Sequence, residues 1–305
     1  MQKFNNILVC LDLSEMDYFL INYSNFLIST FKPEKLTFIH VMDIYDIPDE
    51  IMDSFGGSDS NLEDVVIEEL EERIGNGLSE KEGVKVSLVL EKGGTTEKIL
   101  RYSRKNRIDL SILGKKVGYT GQGSVAKKVV GLLPSSVLVI SETSQKSINK
   151  ILVRMDFSTM AQYTLEVAQM IAKYTKATIE CHHVYKLPLN YFPRQTPENI
   201  KRLKTQVGDV VNKEYSKFLK KFKIDNPLPI TSSLEIQADE PQLLYNHAII
   251  NNFDLILTGT RIKSPLANLI LDSTSEKLVG GEKGVPVMVV KDRKESSGLL
   301  KAIFD

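Results

Sequence analysis

The chain repeats itself. Asn5-Asn6-Ile7-Leu8-Val9-Cys10-Leu11-Asp12-Leu13-Ser14 returns as Asn149-Lys150-Ile151-Leu152-Val153-Arg154-Met155-Asp156-Phe157-Ser158, identical at six of ten positions and displaced by 144 residues. Ile108-Asp109-Leu110-Ser111-Ile112-Leu113-Gly114 returns as Phe253-Asp254-Leu255-Ile256-Leu257-Thr258-Gly259 at an offset of 145, and Ser136–Ile140 returns as Pro286–Val290 at 150. A fixed order with a slowly drifting offset describes a duplicated domain rather than a short solenoid unit. The expected limits are residues 1–143 for the first domain and 148–292 for the second, with the polar stretch Glu142–Ser147 between them. Residues 293–305 form a tail whose Leu299, Leu300, Ile303 and Phe304 are expected to dock on the body or on another subunit.

Within each half, short apolar runs alternate with helix-length segments. Residues 5–12, 35–42, 84–91, 108–114 and 136–141 read as buried strands, as do 149–155, 177–184, 229–236, 253–259 and 285–291. Between them, residues 15–31 set Phe19, Tyr23, Phe26 and Leu27 at helical spacing behind Ser14 as a cap, and 61–82 carry Leu62, Val65, Val66, Leu70 and Ile74. Thr95 or Thr96 is expected to cap the helix that contains Ile99 and Leu100. Strands that are apolar throughout, each followed by a helix, imply a parallel sheet covered on both faces. Each half is therefore expected to be a five-stranded, doubly wound α/β domain. At 42% hydrophobic and 26% charged residues, two such cores need neither disulfides nor metal.

Charge excludes some functions. Lys+Arg and Asp+Glu both number 39, and a balanced chain lacks the basic surplus that nucleic acid or an anionic membrane requires. The two cysteines, Cys10 and Cys181, lie in apolar strand runs and read as small buried hydrophobes. Neither a signal-peptide pattern nor an apolar run of membrane-spanning length is present, so a cytoplasmic protein is expected.

In open α/β sheets a ligand sits beyond the carboxyl ends of the strands, where the strand order reverses. In the first half Asp12 closes the first strand, Val41 follows His40 at the end of the second, and Gly114 closes the fourth. From there Lys115, Lys116, Gly118, Gly121, Gly123 and Ser124 lead into a helix near Val125. Glycines let backbone N–H groups approach an anion, and a helix start adds a favourable dipole. The same loop also reads as an ordinary turn, and it matches neither a P-loop nor a dinucleotide fingerprint.

An Asp-x-Ser strand end, a His-Val strand end, a late Asp-Leu-x-x-x-Gly strand and a Gly-Ser before a helix together resemble the universal stress protein family, twice over. The resemblance implies two tandem flavodoxin-like domains, of the adenine nucleotide alpha hydrolase-like kind, with strand order 3-2-1-4-5. It also implies a stress-response role with ATP or another adenine nucleotide as ligand. Asp12, Val41, Gly114, Lys115, Gly118, Gly121, Gly123, Ser124 and Val125 would hold that nucleotide, with no metal required. In the family the glycine loop runs Gly, two residues, Gly, nine residues, then Gly-Ser or Gly-Thr. The first half is four residues shorter between Gly114 and Gly123, and the second has Ile262 and Asp272 at the glycine positions. A carboxylate there repels phosphate, so the second site is expected not to hold ATP. The alternative is an interaction module with both clefts lost or repurposed. In the family the last strands of two domains pair antiparallel, which implies an intramolecular pseudo-dimer here and leaves a homodimer open. No motif identifies a protein partner.

Asp12 and Asp156 are either ligand contacts or caps of the following helices. Cys181, His182 and His183 look metal-like, yet alternation along a strand puts His182 on the opposite face from the other two. His183 aligns with His40 and reads as structural. No nucleophile–base pair stands out, so an enzyme is not expected, beyond slow incidental ATP hydrolysis.

Overall fold

Apolar runs become strands here because helices cover them from both sides. In the computed structural model, residues 3–43, 62–115, 124–186, 196–236, 238–260, 273–281 and 284–292 are described. They divide into two compact units, Lys3–Glu142 and Thr143–Asp292.

In the first unit β1 (Asn6–Leu11) pairs in parallel with β2 (Lys35–Met42) on one side and with β4 (Leu110–Lys115) on the other. Next, β2 pairs with β3 (Lys85–Lys92), and β4 pairs with β5 (Ser136–Ser141), both in parallel. The order is β3-β2-β1-β4-β5. Helix α1 (Met16–Phe31) packs against α2 (Leu62–Gly77) and covers β1, β4 and β5. Helix α3 (Thr95–Lys105) packs against α4 (Ser124–Leu132) and covers β2 and β3. Ile7, Leu8, Val9, Leu36, Phe38, Leu110 and Ile112 are all excluded from solvent, as continuous apolar strands require.

The second unit repeats this order as β8-β7-β6-β9-β10, again all parallel. Its strands are β6 (Lys150–Arg154), β7 (Thr178–Lys186), β8 (Ile230–Glu235), β9 (Leu255–Gly259) and β10 (Val287–Val290). Helix α5 (Thr159–Thr175) covers β6, β7, β9 and β10, and α6 (Pro197–Phe222) lies on β8. Helix α7 (Glu240–Ile250) lies on β7 and β8 and packs against α8 (Ser273–Gly280), which lies on β10. Val207 and Val211 of α6 meet Leu234 of β8 in a small apolar cluster.

The repeated motifs turn out to be joints. Asp109 accepts the Asn6 N–H at 2.9 Å, and its counterpart Asp254 accepts the N–H groups of Asn149 and Lys150 at 2.7 and 3.0 Å. Each aspartate thus pins the start of a unit's central strand to the approach of its neighbour. In Asp-x-Ser, Asp12 accepts the Ser14 N–H at 3.0 Å and Asp156 accepts the Ser158 N–H at 3.0 Å. The residue between is left-handed in both units, Leu13 at φ 63° and Phe157 at φ 58°. An aspartate that bonds two residues ahead offsets such a conformation in a non-glycine residue.

Several local expectations are corrected. Helix α3 starts at Thr95 itself, behind Gly94, so neither threonine caps it. Gly93 at φ 116° makes the turn that a threonine side chain was expected to initiate. At α1 the cap position is Glu15 without a side-chain bond, while Ser14 Oγ accepts the Met16 N–H at 3.2 Å. Phe19 faces solvent at 44% exposure and leaves Tyr23 and Leu27 to carry the buried stripe. Helix α2 stops at Gly77, before residue 82. Most of 43–60 and 185–198, and all of the tail, lie outside the described residues. Among the described residues no helix is long and apolar enough to cross a membrane.

Candidate functional site

The reversal point of the first unit lies between β1 and β4, where the order passes from β3-β2-β1 to β4-β5. Leu11 pairs with His40, and the next residues are Asp12 and Val41. The His40 Nδ1–H donates to the Leu11 carbonyl at 3.0 Å. In the second unit His183 Nδ1–H donates to the Met155 carbonyl at 2.7 Å. Both histidines brace the last turn of their central strand. Val41 is almost fully buried in β2.

Asp12 itself is exposed. The turn that presents it is held by a residue that spacing does not reveal. Asp17, fully buried at the start of α1, accepts the N–H groups of Asp12 and Leu13 at 3.0 and 2.9 Å. Arg73, reaching from α2, donates to the Ser14 carbonyl at 3.1 Å and stands 3.5 Å from the Asp17 carboxylate, with its guanidinium over the Tyr18 ring. Burial pushes the Asp17 carboxyl up to about 6; its two backbone donors and Arg73 oppose that, while the neighbouring Asp12 charge adds to it.

Gly114, one residue before the end of β4, lies against this turn. A Cβ on it would come within 2.3 Å of Met16 Cγ, so the missing side chain lets α1 approach the strand end. Gly259 does the same in the second unit, where a Cβ would meet Met160 Cγ at 2.6 Å and Thr164 Oγ1 at 2.7 Å. The glycine of the repeated strand is therefore a packing requirement in both units. Lys115 follows at the mouth, partly covered; burial pulls its ammonium down to about 8 against the opposing effect of Glu142. Ser124 and Val125 begin α4, and their side chains lie outside the described residues, as do Gly118, Gly121 and Gly123 altogether. Asp12, Val41, Gly114 and Lys115 thus share one end of the first sheet.

The corresponding end of the second unit carries a buried ion pair. Arg154, which stands where the first repeat has Cys10, turns its guanidinium onto Glu240, with Nε–Oε1 at 2.7 Å and Nη2–Oε2 at 3.2 Å. Both side chains are about nine-tenths buried. Thr274, in the first turn of α8, donates to Glu240 Oε2 at 2.8 Å, and Arg154 Nη1 lies 3.5 Å from Thr258 Oγ1. Ile262 and Asp272 lie outside the described residues. Asp156 accepts both the N–H and the hydroxyl of Ser158, and Ser158 caps α5 by accepting the Ala161 N–H. Cys10 and Cys181 sit in β1 and β7, and desolvation pushes both thiols up to about 12. Neither offers a thiolate.

The universal stress protein family matches the chain twice, over residues 3–141 and 147–291. No curated protein sequence matches it. Among solved structures, a universal stress protein from Archaeoglobus fulgidus DSM 4304 is 19% identical with a TM-score of 0.63, over 95% of this chain and 97% of that one. A proposed universal stress protein from Pseudomonas aeruginosa UCBPP-PA14 is 14% identical with a TM-score of 0.66, over 99% and 98%. A protein of unknown function from Pseudomonas aeruginosa PAO1 is 15% identical with a TM-score of 0.64, over 98% and 96%. These likenesses share the fold. With both halves matched in sequence and in architecture, the chain belongs to the universal stress protein family as a tandem, two-domain member.

Proposed function

We propose that this protein acts in the stress response as an adenine-nucleotide binder, with ATP or a relative held by the first unit and none by the second. The observation that supports this reading is the contrast between the two strand ends. The first presents an exposed Asp12 carboxylate on a turn fixed by Asp17 and Arg73, next to Val41, Gly114 and a lysine. In the second, the Glu240 carboxylate accepts from Thr274 in the first turn of α8, the place where a helix start would otherwise draw a phosphate. A resident carboxylate repels a second anion there, and Arg154 is already spent on it.

In this reading Asp12 accepts from the ribose end of the ligand, Val41 contributes apolar surface to the base, and the segment 114–125 takes the phosphates. The chemistry stops at binding; the described residues of the cleft contain no paired nucleophile and base. The four-residue shortening between Gly114 and Gly123 favours the rival reading, an interaction module without nucleotide. Nucleotide released by heat from freshly purified chain, identified by mass spectrometry, separates the two. The expected result is close to one adenine nucleotide per chain, lost in Asp12→Ala while the fold persists by circular dichroism. Absence of nucleotide, with no thermal shift on added ATP, would establish the rival.

A further inference from the structure

The second unit carries a cluster that the nucleotide reading leaves unused. Alternation along β7 puts Glu180 and His182 on the side that α7 covers, away from Cys181 and His183. His247 of α7 reaches down to the same place. One donor atom from each of Glu180, His182 and His247 lies within 4.8 Å of the others. The two imidazoles stack with centroids 4.1 Å apart, and His247 Nε2 is 2.7 Å from Glu180 Oε1. His182 is buried, whereas the side chains of Glu180 and His247 keep 24% and 19% of their exposure.

A hydroxyl stands in the middle. Thr231, paired with His182 in the register of β8 on β7, places Oγ1 2.7 Å from His182 Nδ1, 2.6 Å from Glu180 Oε1 and 3.5 Å from His247 Nε2. Ser233 Oγ, 2.9 Å from His182 Nε2, holds the other side of that ring. Three strong donor atoms thus converge on a point that a small rotatable group occupies, and Thr231 is exposed. Among the described residues no further strand pairs beyond β8 within this unit, so the cluster opens at the sheet edge.

We propose that Glu180, His182 and His247 form a binding site for a divalent cation of the zinc class, entered from the β8 edge when the Thr231 hydroxyl swings aside. Two imidazoles and a carboxylate with a fourth position left to solvent are a recurrent zinc ligand set. Zinc holds such donors at about 2.0–2.2 Å, which sets them roughly 3.3 Å apart in a tetrahedron. Closing from 4.8 Å asks for about an ångström or less from each of the two partly exposed side chains, within reach of ordinary side-chain rotation. Buried His182 stays as the fixed ligand, its ring held between Thr231 and Ser233. Ser233 supplies the outer hydrogen bond that orients metal-binding histidines. Spacing conceals the set, because its members come from a strand and a helix, with His182 and His247 65 positions apart in sequence.

The full chain, stripped with a chelator, is titrated with Zn²⁺ against a chromophoric competitor. One equivalent is expected to bind. Loss of an outer-shell partner alone costs about 10- to 100-fold in affinity, so His247→Ala and Glu180→Gln are each expected to weaken binding at least about tenfold. Thr231→Ala, which vacates the central position, is expected to bind at least as tightly as the parent. Co²⁺ in the parent is expected to give the strong visible bands of a tetrahedral site, absent in His247→Ala, with circular dichroism unchanged throughout. No uptake by the parent, or uptake undiminished in both His247→Ala and Glu180→Gln, would overturn the proposal and leave the cluster as a hydrogen-bonded brace.

Discussion

Asp17 is the residue on which the first cleft turns. Its carboxylate is buried, accepts from the backbone of Asp12 and Leu13, and makes the left-handed Leu13 tolerable. Burial raises its pKa from 3.8 to about 6, so the folded protein holds this proton more tightly than the unfolded chain does. The sign follows from linkage: the stabilisation tied to the protonated form is complete below pH 4 and is lost as pH rises through about 6. Asp17→Asn, which does not titrate, removes that dependence. Chemical denaturation of both proteins at pH 4.5 and pH 7 is expected to show the stability gap moving toward the variant at the higher pH. A shift of this size corresponds to on the order of 2 kcal/mol. A gap that stays constant between the two pH values would mean that Asp17 is ionised throughout. The sequence shows Asp12 because a strand end followed by a capping serine is a recognisable pattern. Asp17 and Arg73 leave no pattern, since their importance comes from burial and from a contact made across 56 residues of chain.

At the scale of elements, the inner strands were the most legible, because doubly covered parallel strands such as Ile7–Leu11 and Val287–Val290 are apolar without interruption, whereas β7 and β8 carry Glu180, His182, Thr231 and Ser233. Helix starts were less so. A threonine before an apolar run suggests a cap, but at α3 the pair Gly93-Gly94 makes the turn one residue earlier, and glycine conformations are not dictated by side-chain chemistry. The equivalence of the two strand ends was also misleading in part. The repeat lines Arg154 up with Cys10, yet only the fold shows that this arginine meets Glu240 from the start of α7, which also accepts from Thr274 of α8. A buried, hydrogen-bonded pair of this kind is costly to break singly, by about 3–5 kcal/mol, and much less costly to replace as a pair. Urea denaturation is therefore expected to show Arg154→Met strongly destabilised and Arg154→Met/Glu240→Leu restored by at least half. A double variant as unstable as the single one would mean that Arg154 acts through packing rather than through Glu240.

For the molecule as a whole, one architecture has been used twice with different chemistry at the same sheet end. The joints are shared: Asp109 and Asp254 at the strand starts, His40 and His183 at the strand ends, Gly114 and Gly259 where a helix passes close. What differs is what stands beyond them, an exposed carboxylate in one unit and a sealed ion pair in the other. The same fold accommodates the Arg154–Glu240 pair, whose further hydrogen bonds go to Thr274 of α8 and Thr258 of β9. The most direct test of this asymmetry is photolabelling of the intact protein with an azido-adenine analogue of ATP, followed by peptide mapping. Label is expected in the segments around Asp12 and Val41, competed away by ATP and absent from the segments around Asp156 and Val184. Competable label in the second unit, or none in the first, would contradict it.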